Sequence, residues 1–236
     1  MSLLELEDVT ASYGFAPVLH GVSLRLDANH AEGILGANGA GKTTTLRAIS
    51  GMVPATGRIR FDGADILGLS PDRIARLGIA HVPEGRGTLG DLTVRDNLRV
   101  GAYQRRDRKK IADDIDYCLE LFPNLRERIG SNASALSGGE QQMLAVARAF
   151  MAGPRVILLD DTSLGLAPST ARRVYEAIRR LRTEAGVAML VVEQNAALAF
   201  SVVDHAIVLE TGRVSIEGSR ESLMGMDEVR RAYLGG

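Results

Sequence analysis

The segment Gly36-Ala37-Asn38-Gly39-Ala40-Gly41-Lys42-Thr43 matches the pattern G-x-x-x-x-G-K-[ST] in full. Its glycines let backbone N–H groups turn inward around an anion, and a helix starting at Lys42 adds the positive end of its dipole. In such a loop the lysine ammonium meets the β- and γ-phosphates of a nucleotide and the threonine hydroxyl ligates Mg2+. The phosphate-contacting set is then Gly36, Asn38, Gly39, Ala40, Gly41, Lys42, Thr43 and Thr44. A glycine turn that merely caps a helix is the bland reading, and the full match between a strand and a helix weighs heavily against it.

A phosphate-bound Mg2+ wants a carboxylate at the end of a neighbouring buried strand. Arg155-Val156-Ile157-Leu158-Leu159-Asp160-Asp161 offers a run of aliphatics followed by two acids. Asp160 takes the metal side, directly or through water, and Asp161 falls where a base could orient an attacking water. Alone, an apolar strand ending in two acids is more often an ordinary strand end; beside the phosphate loop the functional reading is the better one. A third segment, Leu136-Ser137-Gly138-Gly139-Glu140-Gln141-Gln142, opens a helix that runs through Met143, Val146 and Phe150 to Gly153-Pro154. Ser137 is its cap, Glu140 completes a capping box, and Gly138 and Gly139 bare backbone N–H groups for a second anion.

These residues need a frame to hold them. The 236 residues suit one large domain, or a core with a modest insert. Hydrophobic residues at 45% and charged residues at 24% mark a folded globular chain, while 4% aromatics, no Trp and 26 glycines ask for an aliphatic core with many unusual turns. With 28 basic and 29 acidic residues the net charge is −1, which argues against nucleic acid as a partner held by counterion release. The single cysteine, Cys118, excludes an internal disulfide and a Cys-based metal cluster and reads as a small packed apolar residue. No basic-then-apolar leader opens the chain and no uncharged apolar run nears the ~18 residues of a membrane span, so a cytoplasmic location is expected, with any membrane reached by docking.

Alternating Val22, Leu24 and Leu26, the run 33–35, and residues 58–61 ahead of Asp62-Gly63 read as strands. Ser70-Pro71 opens a short helix closed by Gly78, and Thr93 with Asp96 resembles a capping box for a helix through Val100. Ile111, Ile115, Leu119 and Phe122 then give an i, i+4 stripe up to Pro123. After residue 154 the order is strand 156–159, a helix with the stripe Val174, Ile178 and Leu181, strand 187–192 and strand 206–209, the signature of parallel βαβ units. The expected organisation is an α/β core from 1–84 and 151–236, interrupted over 85–150 by a mainly helical subdomain.

With LSGGEQQ followed about twenty residues later by ILLDD, the chain resembles the ABC transporter ATPases over essentially its whole length. The resemblance implies a P-loop NTPase core of parallel sheet with an antiparallel β subdomain and an inserted helical subdomain. It implies ATP and Mg2+ as cofactors, and a head-to-tail pair of ATPase subunits, homomeric or heteromeric. In that pair the phosphate loop of one subunit and Ser137, Gly138 and Gly139 of the other enclose each ATP. It further implies that Tyr13 stacks on adenine, that Ser163-Leu164-Gly165-Leu166 crosses between subunits, and that Glu84 and Gln194 join Asp161 around the reacting phosphate, with Glu84 also on the metal side.

Val82-Pro83-Glu84-Gly85-Arg86-Gly87, Ser163-Leu164-Gly165-Leu166-Ala167-Pro168, Val192-Glu193-Gln194-Asn195 and the ending Ala232-Tyr233-Leu234-Gly235-Gly236 look like the ATP-binding subunit of bacterial branched-chain amino acid importers. That branch implies ATP hydrolysis coupled to solute uptake through separate transmembrane permeases, a solute-binding protein as an indirect partner, and a peripheral place on the inner face of the cell membrane. Near relatives serving amides, urea or other amino acids share these traits. A soluble ABC ATPase of DNA repair or translation is the rival; it needs a long coiled-coil insert or two fused ATPase units, and the roughly one hundred residues between the phosphate loop and Ser137 leave no room for the former.

Several positions depart from the general family pattern. Glu84 stands where most members carry Gln, and Gln194 where most carry a His that contacts the γ-phosphate; Gln can donate a hydrogen bond but cannot carry a proton. Asp161 stands where the branch shows Glu, and Thr162 where it shows Pro. Asp is one methylene shorter, and a misplacement on the order of 1 Å costs ~10²-fold in rate. Two readings follow: slow hydrolysis, making the chain the nucleotide-switch half of an asymmetric pair, or a backbone shift that lets Asp161 do the work of Glu. His20, His30, His81 and His205 lack metal-ligand spacing. Arg105, Arg106, Arg108, Lys109 and Lys110 read as a solvated linker between helices.

Overall fold

Two sheets with different hydrophobic patterns build the protein, described here over residues 2–14, 16–85 and 87–229 of a computed structural model. Arg86 and residues 232–236, which carry part of the resemblance to amino acid importers, lie outside the described residues. β1 (Ser2–Ser12) and β2 (Pro17–Asp27) pair antiparallel, β2 burying Leu19, Val22, Leu24 and Leu26 between half-buried or exposed neighbours. β3 (Ala31–Leu35) is buried at every position, and the phosphate loop leads from it into α1 (Lys42–Ile49). β4 (Ala55–Phe61) and β5 (Ala64–Asp65) complete the antiparallel sheet in the order β2-β1-β4-β5.

α2 (Pro71–Arg76) and β6 (Ile79–Val82) precede a helical stretch of α3 (Val94–Gly101), α4 (Arg108–Leu121), α5 (Pro123–Glu127), a 3₁₀ turn (Ala133–Ala135) and α6 (Gly138–Met151). β7 (Val156–Asp160), α7 (Pro168–Ala185), β8 (Ala188–Glu193), α8 (Ala196–Ala199) and β9 (His205–Glu210) follow, then β10 (Arg213–Ser219), α9 (Arg220–Gly225) and α10 (Asp227–Val229). The second sheet runs β10-β9-β3-β8-β7-β6, parallel from β9 to β6, with β10 antiparallel on its edge. Buried on both faces, β7 and β8 read as continuous apolar runs closed by an acid, and β3 is apolar except for the buried Glu32.

Because successive strand residues point to opposite faces, each central strand feeds two cores. Leu158 and Leu190 pack with Leu4, Leu26, Leu46 and Ile59 under the antiparallel sheet and α1. Leu159 and Val191 pack with Leu98, Leu119, Phe122, Val146 and Ile178 of the helices. The fold is the α/β architecture expected, a parallel core sheet with an antiparallel sheet on one side and helices on the other. β1 and β10 carried no clear signal: bulges break the period of β1, and β10 is an edge strand without a fully buried residue.

Two local expectations change, and the structural reading of His81 holds. Thr93 caps α3, accepting from the Asp96 N–H at 3.1 Å, but the Asp96 carboxylate accepts from the Thr93 hydroxyl at 2.6 Å. Asp96 is too short to reach back as Glu does, so the box is half made. Arg105 is not a solvated linker residue: its guanidinium, 11% exposed, pairs with Asp107 at 2.8 Å and Asp114 at 2.6 Å and donates to Met151 O. The surrounding Arg106, Arg108, Lys109 and Lys110 are exposed. His81 is half-buried beside Ser50 Oγ, and burial lowers its pKa to about 4.

Candidate functional site

β3 ends at Leu35 and the chain turns at Gly36, where a Cβ would fall 2.5 Å from the Leu209 carbonyl oxygen. Gly41, at φ +109, precedes α1, and a Cβ there would meet Leu19 Cδ2 at 2.7 Å. Both positions admit only glycine, and the loop between them is pinned from outside by the Gly212 N–H donating to Ala40 O at 2.9 Å. Lys42 is buried at 5% exposure, and its ammonium donates to Gly36 O at 3.0 Å and Ala37 O at 3.3 Å. It is thus folded back over its own loop.

β7 delivers the acids. Asp160, 2% exposed, accepts from the Thr43 hydroxyl at 2.9 Å, which brings together two of the three groups expected to hold the metal. Burial pushes the Asp160 carboxyl up to about 6, against the Thr43 hydrogen bond and with help from the charges of Asp161 and Glu84. Asp161 takes φ +41, a left-handed conformation that a short acid tolerates better than most residues. Its N–H donates to Val192 O at 3.0 Å, and its Oδ2 accepts from Gln194 Nε2 at 3.3 Å and lies 3.8 Å from the Lys42 ammonium.

A cavity of about 320 Å³ opens here, lined by Asn38, Gly39, Gly41, Lys42, Thr43, Thr44, Glu84, Asp161 and Gln194, with Val18 and Leu164 at its sides. Residues read from four distant stretches of sequence therefore meet at one hollow. The donor set fits a Mg-nucleotide: a buried ammonium, a glycine loop at a helix start, and hydroxyl and carboxylate oxygens already in contact.

The sequence matches the family model for "ABC transporter" over residues 19–163. The chain belongs to the ABC transporter family. It is 43% identical to the high-affinity branched-chain amino acid transport ATP-binding protein BraG of Pseudomonas aeruginosa, over 99% of this chain and 100% of that one. It is 34% identical to the lipopolysaccharide export system ATP-binding protein LptB of Haemophilus influenzae, over 100% and 98%. An ATP-binding cassette of an ABC transporter, solved in its ADP conformation, superposes with a TM-score of 0.86 at 25% identity, each chain covered completely. This chain is accordingly an ABC ATPase, a nucleotide-binding subunit that hydrolyses ATP.

Not every expected site residue of this ABC ATPase joins the cavity. Ser137, Gly138 and Gly139 are absent from its lining, and so are Tyr13, Gly36, Ala40 and Asp160, the last reaching it only through Thr43. Ser137 and Glu140 do form the capping box, the Glu140 N–H donating to Ser137 Oγ at 3.3 Å and the Ser137 N–H to Glu140 Oε2 at 2.9 Å. Tyr13 is exposed, its hydroxyl accepting from Arg47 Nη1 at 3.1 Å with the guanidinium 6.0 Å from the ring centre. Two residues beside the site were assigned no role from the sequence. Glu193 closes β8 at 1% exposure and Tyr175, on α7, is buried against it. Burial raises the Glu193 carboxyl above its usual range. The available signal was a charged residue closing an otherwise apolar strand.

Proposed function

We propose that this ABC ATPase drives solute import, as the nucleotide-binding subunit of a system for branched-chain or chemically related amino acids. The observation that carries the reading is the end-to-end likeness to BraG at 43% identity, against 34% for the lipopolysaccharide exporter subunit. In this reading Asn38 to Thr44 hold the phosphates of ATP, and Thr43 and Asp160, with Glu84, hold Mg2+, which supplies charge neutralisation on the phosphates. Asp161 orients water and Gln194 donates to the terminal phosphate.

The capped start of α6 stands outside the phosphate cavity, so Ser137, Gly138 and Gly139 serve the nucleotide of a second ATPase subunit. The helical subdomain over 85–150 carries them, and Tyr13 meets the adenine. No described helix is long and apolar enough to cross a membrane, and transport therefore calls for separate permeases. A groove of about 430 Å³ between α2, β6 and the end of α3, with exposed Met52, Val100 and Tyr103, is the face we assign to them. The subunit then works as a peripheral protein on the inner membrane face, with a solute-binding protein outside.

Uptake of radiolabelled leucine, isoleucine and valine by cells lacking this subunit tests the proposal. Uptake lost on deletion, and restored by the wild-type chain but not by Lys42→Ala, supports it; unchanged uptake of all three overturns it. A second reading rests on Asp161: with an acid one methylene short, this site hydrolyses slowly and acts chiefly as the ATP-binding switch of a pair whose other subunit turns over.

A further inference from the structure

Glu193 lies outside the lining of the phosphate cavity, yet its two carboxylate oxygens collect five donors from three segments. Oε1 accepts from the Ser163 N–H at 3.0 Å and from the Tyr175 hydroxyl at 2.5 Å. Oε2 accepts from the Ser163 hydroxyl at 2.9 Å and from the N–H groups of Gln194 and Asn195 at 3.2 and 3.4 Å. The Tyr175 hydroxyl in turn accepts from the Thr162 hydroxyl at 3.1 Å. A buried carboxylate is costly unless such donors surround it, and the buried Tyr175 hydroxyl would lose its acceptor without it.

The segments so joined are the loop after β7 and the loop after β8, the two that present Asp161 and Gln194. We propose that Glu193 is a positioning residue for ATP hydrolysis. It clamps the two loops together so that the Asp161 carboxylate and the Gln194 amide, 3.3 Å apart, face the same phosphate. Tyr175 is the second half of the clamp and extends it to Thr162, immediately after Asp161. Thr162 carries a hydroxyl where a proline would have none, and so adds a bond that holds Asp161's neighbour in place. Ser163, held by both its N–H and its hydroxyl, opens the stretch 163–166, so the same clamp fixes the start of the surface assigned to a partner subunit. Nucleotide affinity rests on Lys42 and the glycine loop, which Glu193 does not touch; the clamp therefore acts on turnover more than on binding.

The proposal rests on the ABC ATPase reading, and the test separates the two. Wild type, Glu193→Gln and Tyr175→Phe are compared in steady-state Mg-ATP turnover, equilibrium ATP titration and amide hydrogen exchange. In Glu193→Gln, kcat is expected to fall roughly 10–100-fold with the ATP dissociation constant held within about threefold. Exchange across residues 161–166 and 193–198 is expected to accelerate about tenfold or more while β7 and β8 keep their protection. Tyr175→Phe, which keeps the ring packing, shows the same pattern at smaller size and decides the matter where Glu193→Gln does not fold. Unchanged turnover and exchange overturn the proposal, as does a parallel loss of turnover and ATP affinity with protection lost throughout the chain. A wild type that binds ATP without turnover counts against hydrolysis at this site, and the exchange comparison alone then decides the clamp.

Discussion

The Lys42 ammonium and the Asp161 carboxylate lie 3.8 Å apart, both side chains almost wholly buried, at the hollow where four loops converge. The pair links the phosphate loop to the end of β7, and a phosphate entering the cavity competes with Asp161 for the lysine. Lys42→Ala should therefore weaken ATP binding roughly 10–100-fold, the value of one or two hydrogen bonds to a charged group. An equilibrium titration checks this, and unaltered affinity would remove residues 36–44 from the nucleotide site.

Asp161 reaches the cavity through a left-handed backbone at φ +41, and its carboxylate is shared between Gln194 and Lys42. Adding one methylene moves that carboxylate toward the cavity by on the order of 1 Å. Asp161→Glu should then raise Mg-ATP turnover about tenfold or more with little change in ATP affinity. Equal rates in single-site turnover would show that Asp161 already places the water as well as Glu does.

Ser137 and Glu140 exchange hydrogen bonds at the start of α6, a helix buried along much of its length. Ser137→Ala removes one acceptor and should cost about 1 kcal/mol of stability. Chemical denaturation reads this directly, and an unchanged midpoint at an unchanged slope would mean that the cap contributes nothing.

Glu32, on β3, is 6% exposed and accepts from His205 Nδ1 at 2.8 Å. Burial raises its pKa from 4.5 to about 7, with the His205 hydrogen bond and charge opposing. A carboxyl harder to ionise in the folded chain than in the unfolded one contributes stability fully present below 4.5 and lost as pH rises through about 7. Glu32→Gln should therefore gain on the wild type by a few kcal/mol between pH 4.5 and pH 8, in the limit of 1.36 kcal/mol per unit. Unfolding free energies compared at the two ends of that range test it; a constant difference between the two proteins would contradict the linkage.

Val100 and Tyr103 stand at the rim of the groove assigned to the permease, and neither touches the phosphate cavity. A charge introduced by Val100→Asp should abolish co-purification with the permeases and leave ATP binding intact. Recovery of the whole complex with the variant would place the docking face elsewhere.

Sequence alone determined the features that are local. The phosphate loop was legible because its glycines, lysine and threonine are contiguous, and the α6 cap because a capping box closes within four residues. The alternation of apolar strands and striped helices after residue 154 gave the parallel sheet. What depends on distant pairing was decided only by the tertiary structure. Asp160 meets Thr43, and Asp161 meets Lys42 and Gln194, because β7, β3 and β8 end at the same edge of one sheet. The left-handed turn at Asp161 and the clamp of Glu193, Tyr175 and Ser163 join loops and a helix that no sequence period relates. A buried carboxylate is intelligible only with its donors, and those come from wherever the fold brings them.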